Sequence, residues 1–266
     1  MNTPWRVAIH LMNLNQENIA MPEDQTIKFF DFEMRLDCKS GHDREFWRIY
    51  NAHGIYEADV TNIIRNELKK GDTFVDVGAN NGYYSLMASN LVGKRGNVYS
   101  FEPAEKSFER LRRNIELNGF GNIYPYMLAL GNKRGKAVMY NAIEDGSNSL
   151  SKIPSSTGTE IVMTNTLDTI LKNNKVLLIK IDVEGHELEV LEGAEKVLHK
   201  NKDIKLILEY ILPLVYRFNR DYDGVFRFLT SRNFNIREIT GVGKFGKRIT
   251  SYKQLSDWGC NLYCER

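Results

Sequence analysis

Cysteine is scarce in this chain of 266 residues, and that scarcity narrows the class of protein before any motif is considered. Cys38, Cys260 and Cys264 are odd in number and show neither a CxxC nor a zinc-ligand spacing. A disulfide framework and a zinc site are therefore disfavoured, and free thiols in a reducing compartment are favoured. We expect a cytoplasmic protein.

Long hydrophobic runs are also missing. No segment approaches the roughly 20 apolar residues that a membrane span needs. The first residues, MNTPWRVAIHLMNLNQEN, lack the apolar region and the small-residue cleavage site of a signal peptide. Internal repeats and low-complexity tracts are absent as well, so we expect an ordinary globular protein with no membrane span.

Neither sign of charge dominates. Thirty-six Lys and Arg residues against 34 Asp and Glu residues give a formal net charge of +2. Such a balance supplies no global field to recruit nucleic acid or an anionic membrane, although the local basic cluster at 244–248 is an exception. We expect no nucleic-acid partner.

Strand and helix patterns alternate from about residue 71 onward, and a hydrophobic content of 42% is ample for a core. The predicted strands are 73–77, 97–102, 123–130, 176–183, 204–210, 234–239 and 262–265, with a hairpin-like region at 137–162. The predicted helices include 57–68, 186–199 and 225–231, one from Tyr83 to Gly93 and one ended by Asn118-Gly119. This order predicts an α/β fold, a doubly wound and mostly parallel sheet with ligands at the carboxyl ends of its strands. We expect a domain at 61–266 and a small N-terminal appendage at 1–60, built of a few strands.

The most informative stretch is Thr73 to Gly82, an apolar strand that runs into a glycine-punctuated turn and then a helix. Gly78 and Gly82 allow a ligand to approach the backbone, and the helix start points free N–H groups at the same place. The pattern is D-x-G-x-x-x-G rather than the G-x-G-x-x-G of dinucleotide sites, and Asp76 repels phosphate and favours a cation. S-adenosylmethionine, which carries an ammonium and a sulfonium, is the common cofactor that fits. Alternatively, Asp76 caps the turn and the glycines serve only a tight connection.

Glu102 lies twenty residues after Gly82, at the end of the next strand. An acid there can accept hydrogen bonds from both ribose hydroxyls of a nucleoside. Taken alone it could be a surface acid, but its register with the glycine turn favours the ribose role.

A third constellation, KIDVEGHE at 180–187, places ionisable residues just past a strongly apolar strand. Buried charge must be paired, so these residues should meet water or a ligand. Asp182 and Glu184 share one face, and Gly185 allows a sharp turn. His186 stands at a helix start, where the helix dipole lowers its pKa and favours the neutral, proton-accepting form. His186 as a base and His186 as a solvated bystander stay equally open.

Several stretches together resemble the FkbM family of S-adenosylmethionine-dependent methyltransferases over about 65–210. They are FVDVGANNGYYS, VYSFEP, LALGN, SNSLS, TNTLDTIL and LIKIDVEGHELEVLEGA. The resemblance implies a Rossmann-like class I methyltransferase fold, S-adenosylmethionine as cofactor and O-methylation of a hydroxyl on a sugar, a glycan or a natural product.

Residue by residue, the family pattern carries over to two regions of this chain. Asp76, Gly78, Asn80 and Gly82 match the cofactor loop and Glu102 the ribose acid, whereas Asp182 and Glu184 match the family's acidic strand end. Met127 occupies a position that is polar and near the adenine in many relatives. Residues 1–60 match nothing in the family, so acceptor specificity is expected there.

From this pattern we predict that Asp182, Glu184 and His186 frame a small-molecule or glycan acceptor, with His186 or Asp182 as the base. Asp182 is also a cofactor-binding candidate, and Glu209 is a weaker candidate for the same pocket. A divalent cation held by the acids ranks lower, since no spacing demands it, and we assign no metal ligand.

Three rival functions share parts of the pattern. An NAD-dependent oxidoreductase is disfavoured by Asp76 and by the missing dinucleotide turn. A nucleic-acid methyltransferase is disfavoured by the modest charge and by the lack of an NPPY or DPPY turn. A catalytically silent S-adenosylmethionine-binding module is harder to exclude, and the oligomeric state is left open.

Overall fold

The structure, a computed structural model, describes residues 25–142, 147–152, 156–218 and 221–266. The first 24 residues of the expected appendage, and residues 143–146 and 153–155 of the hairpin-like region, lie outside these ranges. The strands are β1 Gln25–Phe29, β2 Phe32–Leu36, β3 Thr73–Val77, β4 Asn97–Phe101, β5 Ile123–Tyr126, β6 Ala129–Leu130, β7 Gly135–Asn141, β8 Gly158–Asn165, β9 Leu178–Ile181, β10 Lys205–Ile211, β11 Asn235–Gly241, β12 Lys244–Ile249 and β13 Gly259–Glu265. The helices are α1 Gly41–His53, α2 Ala58–Glu67, α3 Tyr83–Val92, α4 Glu105–Asn118, α5 Leu167–Ile170, α6 Glu187–Glu192, α7 Glu195–Lys200, α8 Leu212–Phe218 and α9 Gly224–Thr230.

The central sheet contains eight of the described strands in the order β12-β11-β13-β10-β9-β3-β4-β5. The run from β10 to β5 is parallel, and β13 is antiparallel to β10 and β11. Every residue of β3 and β9 is buried, because helices cover a parallel sheet on both faces. The predicted doubly wound, mostly parallel α/β fold is confirmed.

The strand order reverses beside β3. The chain passes from β3 to β4 and β5 on one side, and from β9 to β10 on the other. A crevice forms at such a switch point, outside the carboxyl ends of the strands, and is where doubly wound folds bind ligands.

Residues 25–57 pack onto the sheet domain rather than away from it. Phe29, Phe32 and Phe46 of the β1-β2 hairpin and α1 surround Tyr83 of α3, with ring centroids 5.1–6.0 Å from it. These rings share one hydrophobic core with Phe74 of β3. Burying an aromatic side chain of this size contributes roughly 1.5–3 kcal/mol, so the segment is a substantial part of this core.

The predicted strand at 123–130 is two strands in the structure. The chain leaves the central sheet after Tyr126, and Ala129–Leu130 joins a second, three-stranded sheet in the order β6-β8-β7. In that sheet β7 and β8 form the antiparallel hairpin that the sequence predicted. A continuous apolar pattern did not reveal that the chain changes sheets within it.

The predicted helix at 186–199 is broken into α6 and α7 at Gly193-Ala194. The backbone of Gly193 passes so close to residue 131 that a Cβ at 193 would stand 1.9 Å from the Gly131 carbonyl oxygen. The Gly193 carbonyl also accepts a hydrogen bond from the Asp168 N–H at 2.9 Å. This crossing of two chain segments ends the first helix, and the apolar spacing alone did not predict it.

The basic stretch 244–248 lies within an edge strand, β12, which the sequence did not predict. Lysine and arginine on an edge strand hinder pairing with other chains. In the described residues, no helix combines the length and the apolarity of a transmembrane span.

Candidate active site

A cavity opens at the carboxyl ends of β3 and β9. The space inside it, counted together with the open solvent at its mouth, is about 960 Å³. Its lining comes from four parts of the chain: the loop after β3 with the start of α3, residues 101–103, residues 128–130 with Met139, Asn148 and Leu150, and the end of β9 with residues 182–186. His42, Tyr56 and Glu57 complete the lining.

The glycine loop, residues 78–82, has left-handed backbone at three of the predicted positions. Gly78, Asn80 and Gly82 have φ of +85°, +47° and +95°. A Cβ at Gly78 would stand 1.9 Å from the carbonyl oxygen of Asp182, because the Asp182 N–H bonds the Val77 carbonyl at 2.9 Å. Gly78 is therefore required by the close pairing of the two backbones.

Asp76 lies beneath the glycine loop and does not line the cavity. One carboxylate oxygen accepts the Ser85 hydroxyl at 2.6 Å, and within the described residues Oδ1 has no hydrogen-bond partner. Burial raises the pKa of Asp76, and the nearby Lys180 and the Ser85 hydroxyl oppose that rise. In this position its contact with a ligand is indirect.

Glu102 is held by two backbone donors. The amide of Asn80 donates to Oε2 and the amide of Ala104 to Oε1, each at 2.9 Å. Burial raises the pKa of Glu102 to about 7, and the two amides oppose the rise. Each oxygen can accept a further hydrogen bond, so the carboxylate suits a pair of vicinal hydroxyls. Asn80 Oδ1, buried beside it, has no partner among the described residues.

Lys180 is a residue of the cavity wall to which sequence reasoning gave no role. Its ammonium lies 3.0 Å from Asp182 Oδ2 and 4.8 Å from the ring centre of Tyr84, and only 4% of the residue is exposed. Burial opposes its charge, but Asp182, Asp76 and two glutamates raise its pKa above the usual value. The sequence did contain a signal for this buried charge, since Lys180 is a lysine inside a strand whose other residues are apolar.

The turn after β9 presents the remaining candidates. Glu184 and Gly185 have φ of +56° and +102°, and the Glu184 carbonyl accepts the Ser149 hydroxyl at 3.1 Å. The His186 ring packs edge-on against Phe218 with centroids 3.6 Å apart. Burial lowers the pKa of His186 to about 4, so the imidazole is neutral near pH 7. The pKa is lowered, as the sequence predicted, and burial is its cause.

Glu187 is a second residue without a predicted role. Its Oε1 accepts the Gly185 N–H at 3.0 Å, and burial raises its pKa to about 8. It is buried and does not line the cavity. Glu187 thus supports the turn that carries Glu184 and His186.

The acids also meet as a potential cation site. One carboxylate oxygen from each of Asp182, Glu184 and Glu209 lies within 4.8 Å of the others. Carboxylate oxygens suit Mg²⁺, but the ammonium of Lys180 already places one positive charge beside Asp182.

Met127, at the position expected near the adenine, is half exposed. Leu128, Ala129 and Leu130 line the cavity in its place.

A doubly wound sheet with an antiparallel strand inserted beside its last parallel strand, and an acid-rich cavity at the switch point, defines a class I methyltransferase. The family comparison agrees: the Methyltransferase FkbM domain matches residues 76–236. The chain belongs to the FkbM family of S-adenosylmethionine-dependent methyltransferases.

The chain is also similar to several proteins of known description. The hexuronic acid methyltransferase AglP of Haloferax volcanii is 31% identical over 199 residues, which cover 68% of this chain and 80% of that protein. Methyltransferase 1 of Beauveria bassiana is 25% identical over 150 residues, which cover 47% of this chain and 59% of that protein. The crystal structure of a methyltransferase FkbM from Methylobacillus flagellatus KT aligns with a TM-score of 0.48 and 18% identity over 81% of this chain and 46% of that one.

The residues present fit S-adenosylmethionine. Glu102 and the orphaned Asn80 Oδ1 offer acceptors to hydroxyl and amino groups, and Asp182 offers a carboxylate to an ammonium. A dinucleotide phosphate would meet this acidic wall instead of free backbone amides, because the Asn80 N–H is already bonded to Glu102.

Proposed function

We propose that this chain transfers a methyl group from S-adenosylmethionine to an oxygen atom of a sugar acid or of a glycan that contains one, a hydroxyl being the expected acceptor. One observation carries the proposal: Glu102 and the glycine loop share a single cavity with Asp182, Glu184 and His186. A donor and an acceptor bound at the two groups of residues would therefore meet without intervening backbone.

On the donor side, Glu102 would accept the ribose hydroxyls while the glycine loop leaves room for the methionine part. Asp182, which lines the same cavity, would attract its ammonium by charge. When bound, S-adenosylmethionine supplies a methyl carbon made electrophilic by the attached positive sulfur.

On the acceptor side, His186 would take the proton from the attacking hydroxyl as the new carbon–oxygen bond forms and the methyl–sulfur bond breaks, its electron pair returning to the sulfur as a neutral thioether. A neutral imidazole is needed for this step, and burial keeps His186 neutral above about pH 4. Asp182 and Glu184 would hold the acceptor in line, since alignment supplies much of the rate in a displacement reaction.

The sugar class rests on two supports. The relative from Haloferax volcanii is described as a hexuronic acid methyltransferase, and this chain spans 80% of it. In addition, His42, Tyr56, Glu57 and Asn148 give the cavity a wall of hydrogen-bonding side chains suited to a polyhydroxy acceptor.

The test is transfer of a labelled methyl group from S-adenosylmethionine to glucuronosides, galacturonosides and neutral glycosides. We expect label in a uronoside, stable to mild alkali as an ether. Label that is released by alkali would mean an ester, which would move the acceptor atom to the carboxylate and remove the need for a base. Binding of S-adenosylmethionine without transfer to any acceptor would favour the silent binding module.

A further inference from the structure

We propose that Asp43 is a positioning residue that locks the N-terminal helix α1 to the glycine loop and so sets the affinity for the cofactor. This inference rests on the proposed function, because the cofactor site is that of the proposed donor. The observation behind it is a buried polar network that joins three separate parts of the chain and includes Asn81 of the cavity lining.

Asp43 is fully buried in the first turn of α1, and both of its carboxylate oxygens accept hydrogen bonds. Oδ1 accepts from the Asn81 side-chain amide at 2.9 Å, and Oδ2 accepts from the Asp37 backbone amide at 2.7 Å. The guanidinium of Arg110 on α4 lies 3.9 Å away. A buried carboxylate is stable only with such partners, so its place is fixed by all of them together.

Asn81 is the residue of the glycine loop that is hydrogen-bonded to Asp43. It is 1% exposed, and its carbonyl accepts the side-chain amide of Asn114 at 2.9 Å. The preceding residue, Asn80, has the left-handed backbone and donates its N–H to Glu102. The loop is therefore held on one side by Glu102 and on the other by Asp43.

The positive charge of Arg110 acts on both Asp43 and Glu102. Arg110 lies within 3.9 Å of Asp43, donates to Ser107 at 2.9 Å, and its positive charge favours the ionised form of Glu102. Asp43 is thus connected to Glu102 in two ways, through Asn81 of the glycine loop and through the charge of Arg110. His42, next to Asp43 in sequence, lines the cavity itself.

The decisive experiment measures the dissociation constant of S-adenosylmethionine for the full chain by calorimetry. In Asp43→Asn one acceptor oxygen becomes an amide donor that faces another donor, so we expect the dissociation constant to rise about tenfold or more. KM for the cofactor should rise by a similar factor, with a smaller change in kcat. Glu45→Gln is the matched control, since Glu45 lies on the same helix in an exposed pair with Arg48 and should bind like the wild type.

A double-mutant cycle separates positioning from general stability. Asn81→Ala should weaken binding by itself, and Asp43→Ala together with Asn81→Ala should weaken it by less than the product of the single effects. If Asp43→Asn does not fold, Asn81→Ala alone still decides, since unchanged binding there overturns the inference.

The outcomes distinguish the two proposals. Wild-type binding by Asp43→Asn, or effects that simply multiply in the cycle, overturns the role of Asp43 and leaves the proposed function standing. A wild-type chain that binds no S-adenosylmethionine overturns both.

Discussion

At the residue scale, the protonation state of single side chains controls binding and catalysis, and Glu102 is the clearest example. Burial places its pKa at about 7, above the usual value near 4.5, so the carboxyl is largely protonated below pH 7. A protonated carboxyl loses acceptor capacity, and we expect the affinity for S-adenosylmethionine to fall as the pH is lowered from 8 to 6. Titration calorimetry across that range measures it.

Glu102→Gln supplies the control for this pH dependence. The variant should bind roughly ten- to a hundredfold more weakly at pH 8, and its affinity should not change between pH 6 and 8. A wild-type affinity that is flat over the same range would show that Glu102 does not titrate there or does not contact the ligand.

His186 gives the second prediction at this scale. His186→Ala should lower kcat by about two orders of magnitude or more while the dissociation constant for S-adenosylmethionine stays within about twofold. Because burial lowers the pKa of His186 to about 4 from 6.5, an acid limb of kcat caused by this base belongs near pH 4 rather than 6.5. Near-normal turnover in the variant would remove His186 from the mechanism, and Asp182 would then be tested in the same way.

The candidate residues of the site could be chosen from the sequence because the chemistry of each residue type is known without a structure. Acids attract a cationic ligand, glycines permit a tight turn, and a histidine can accept a proton. Lys180 was not assigned because its role depends on carboxylates from other parts of the chain, and Glu187 was not assigned because its partner is a backbone N–H, that of Gly185, which a pattern of side chains does not show. The charge of the buried Lys180 is favoured by the nearby Asp182 and by Asp76, Glu57 and Glu209 from three other parts of the chain, and no local sequence pattern predicts that these carboxylates converge.

At the scale of elements, the site depends on how closely β3 and β9 approach each other at Gly78. Gly78→Ala would force a Cβ to 1.9 Å from the Asp182 carbonyl oxygen at a φ of +85°. The β3–β9 pairing must then open, and we expect a loss of more than about 3 kcal/mol in the free energy of unfolding, measured by urea denaturation.

Gly119→Ala is the matched control for this effect. Gly119 ends α4 with a φ of +61°, but a Cβ there would meet nothing within 4 Å. Its cost should be only the strain of the left-handed backbone, about 1 kcal/mol. Equal losses at the two positions would mean that backbone conformation, rather than the approach of Asp182, makes Gly78 necessary.

Elements were predicted well where apolar periodicity was uninterrupted, as in β3, β4 and β10. The prediction was wrong where the chain changes partner within an apolar stretch. Residues 123–130 cross from one sheet to another, and Gly193 breaks a helix because it passes the Gly131 carbonyl. Both events are set by long-range packing, which the spacing of apolar residues does not encode.

At the scale of the whole molecule, residues 25–57 and the sheet domain share a core. A chain that begins at residue 58 would expose Tyr83, because the rings of Phe29, Phe32 and Phe46 that pack against it would be missing. We expect this fragment to lose cooperative thermal unfolding and to aggregate on size-exclusion chromatography. A monomeric fragment with a sharp unfolding transition would show that 58–266 folds independently.

The two neighbours at the start of α1 have opposite consequences for anyone who wishes to redirect the enzyme. His42 lines the cavity and has no assigned role in donor binding, so it is a natural position to vary when a library for new acceptors is built. Asp43 holds the glycine loop and must be kept in every member of that library. Suppose that helix α1 is replaced by the corresponding helix of another family member. We expect the acceptor preference to be carried over only if the new helix keeps an acid at position 43, directly after the cavity-lining side chain at position 42.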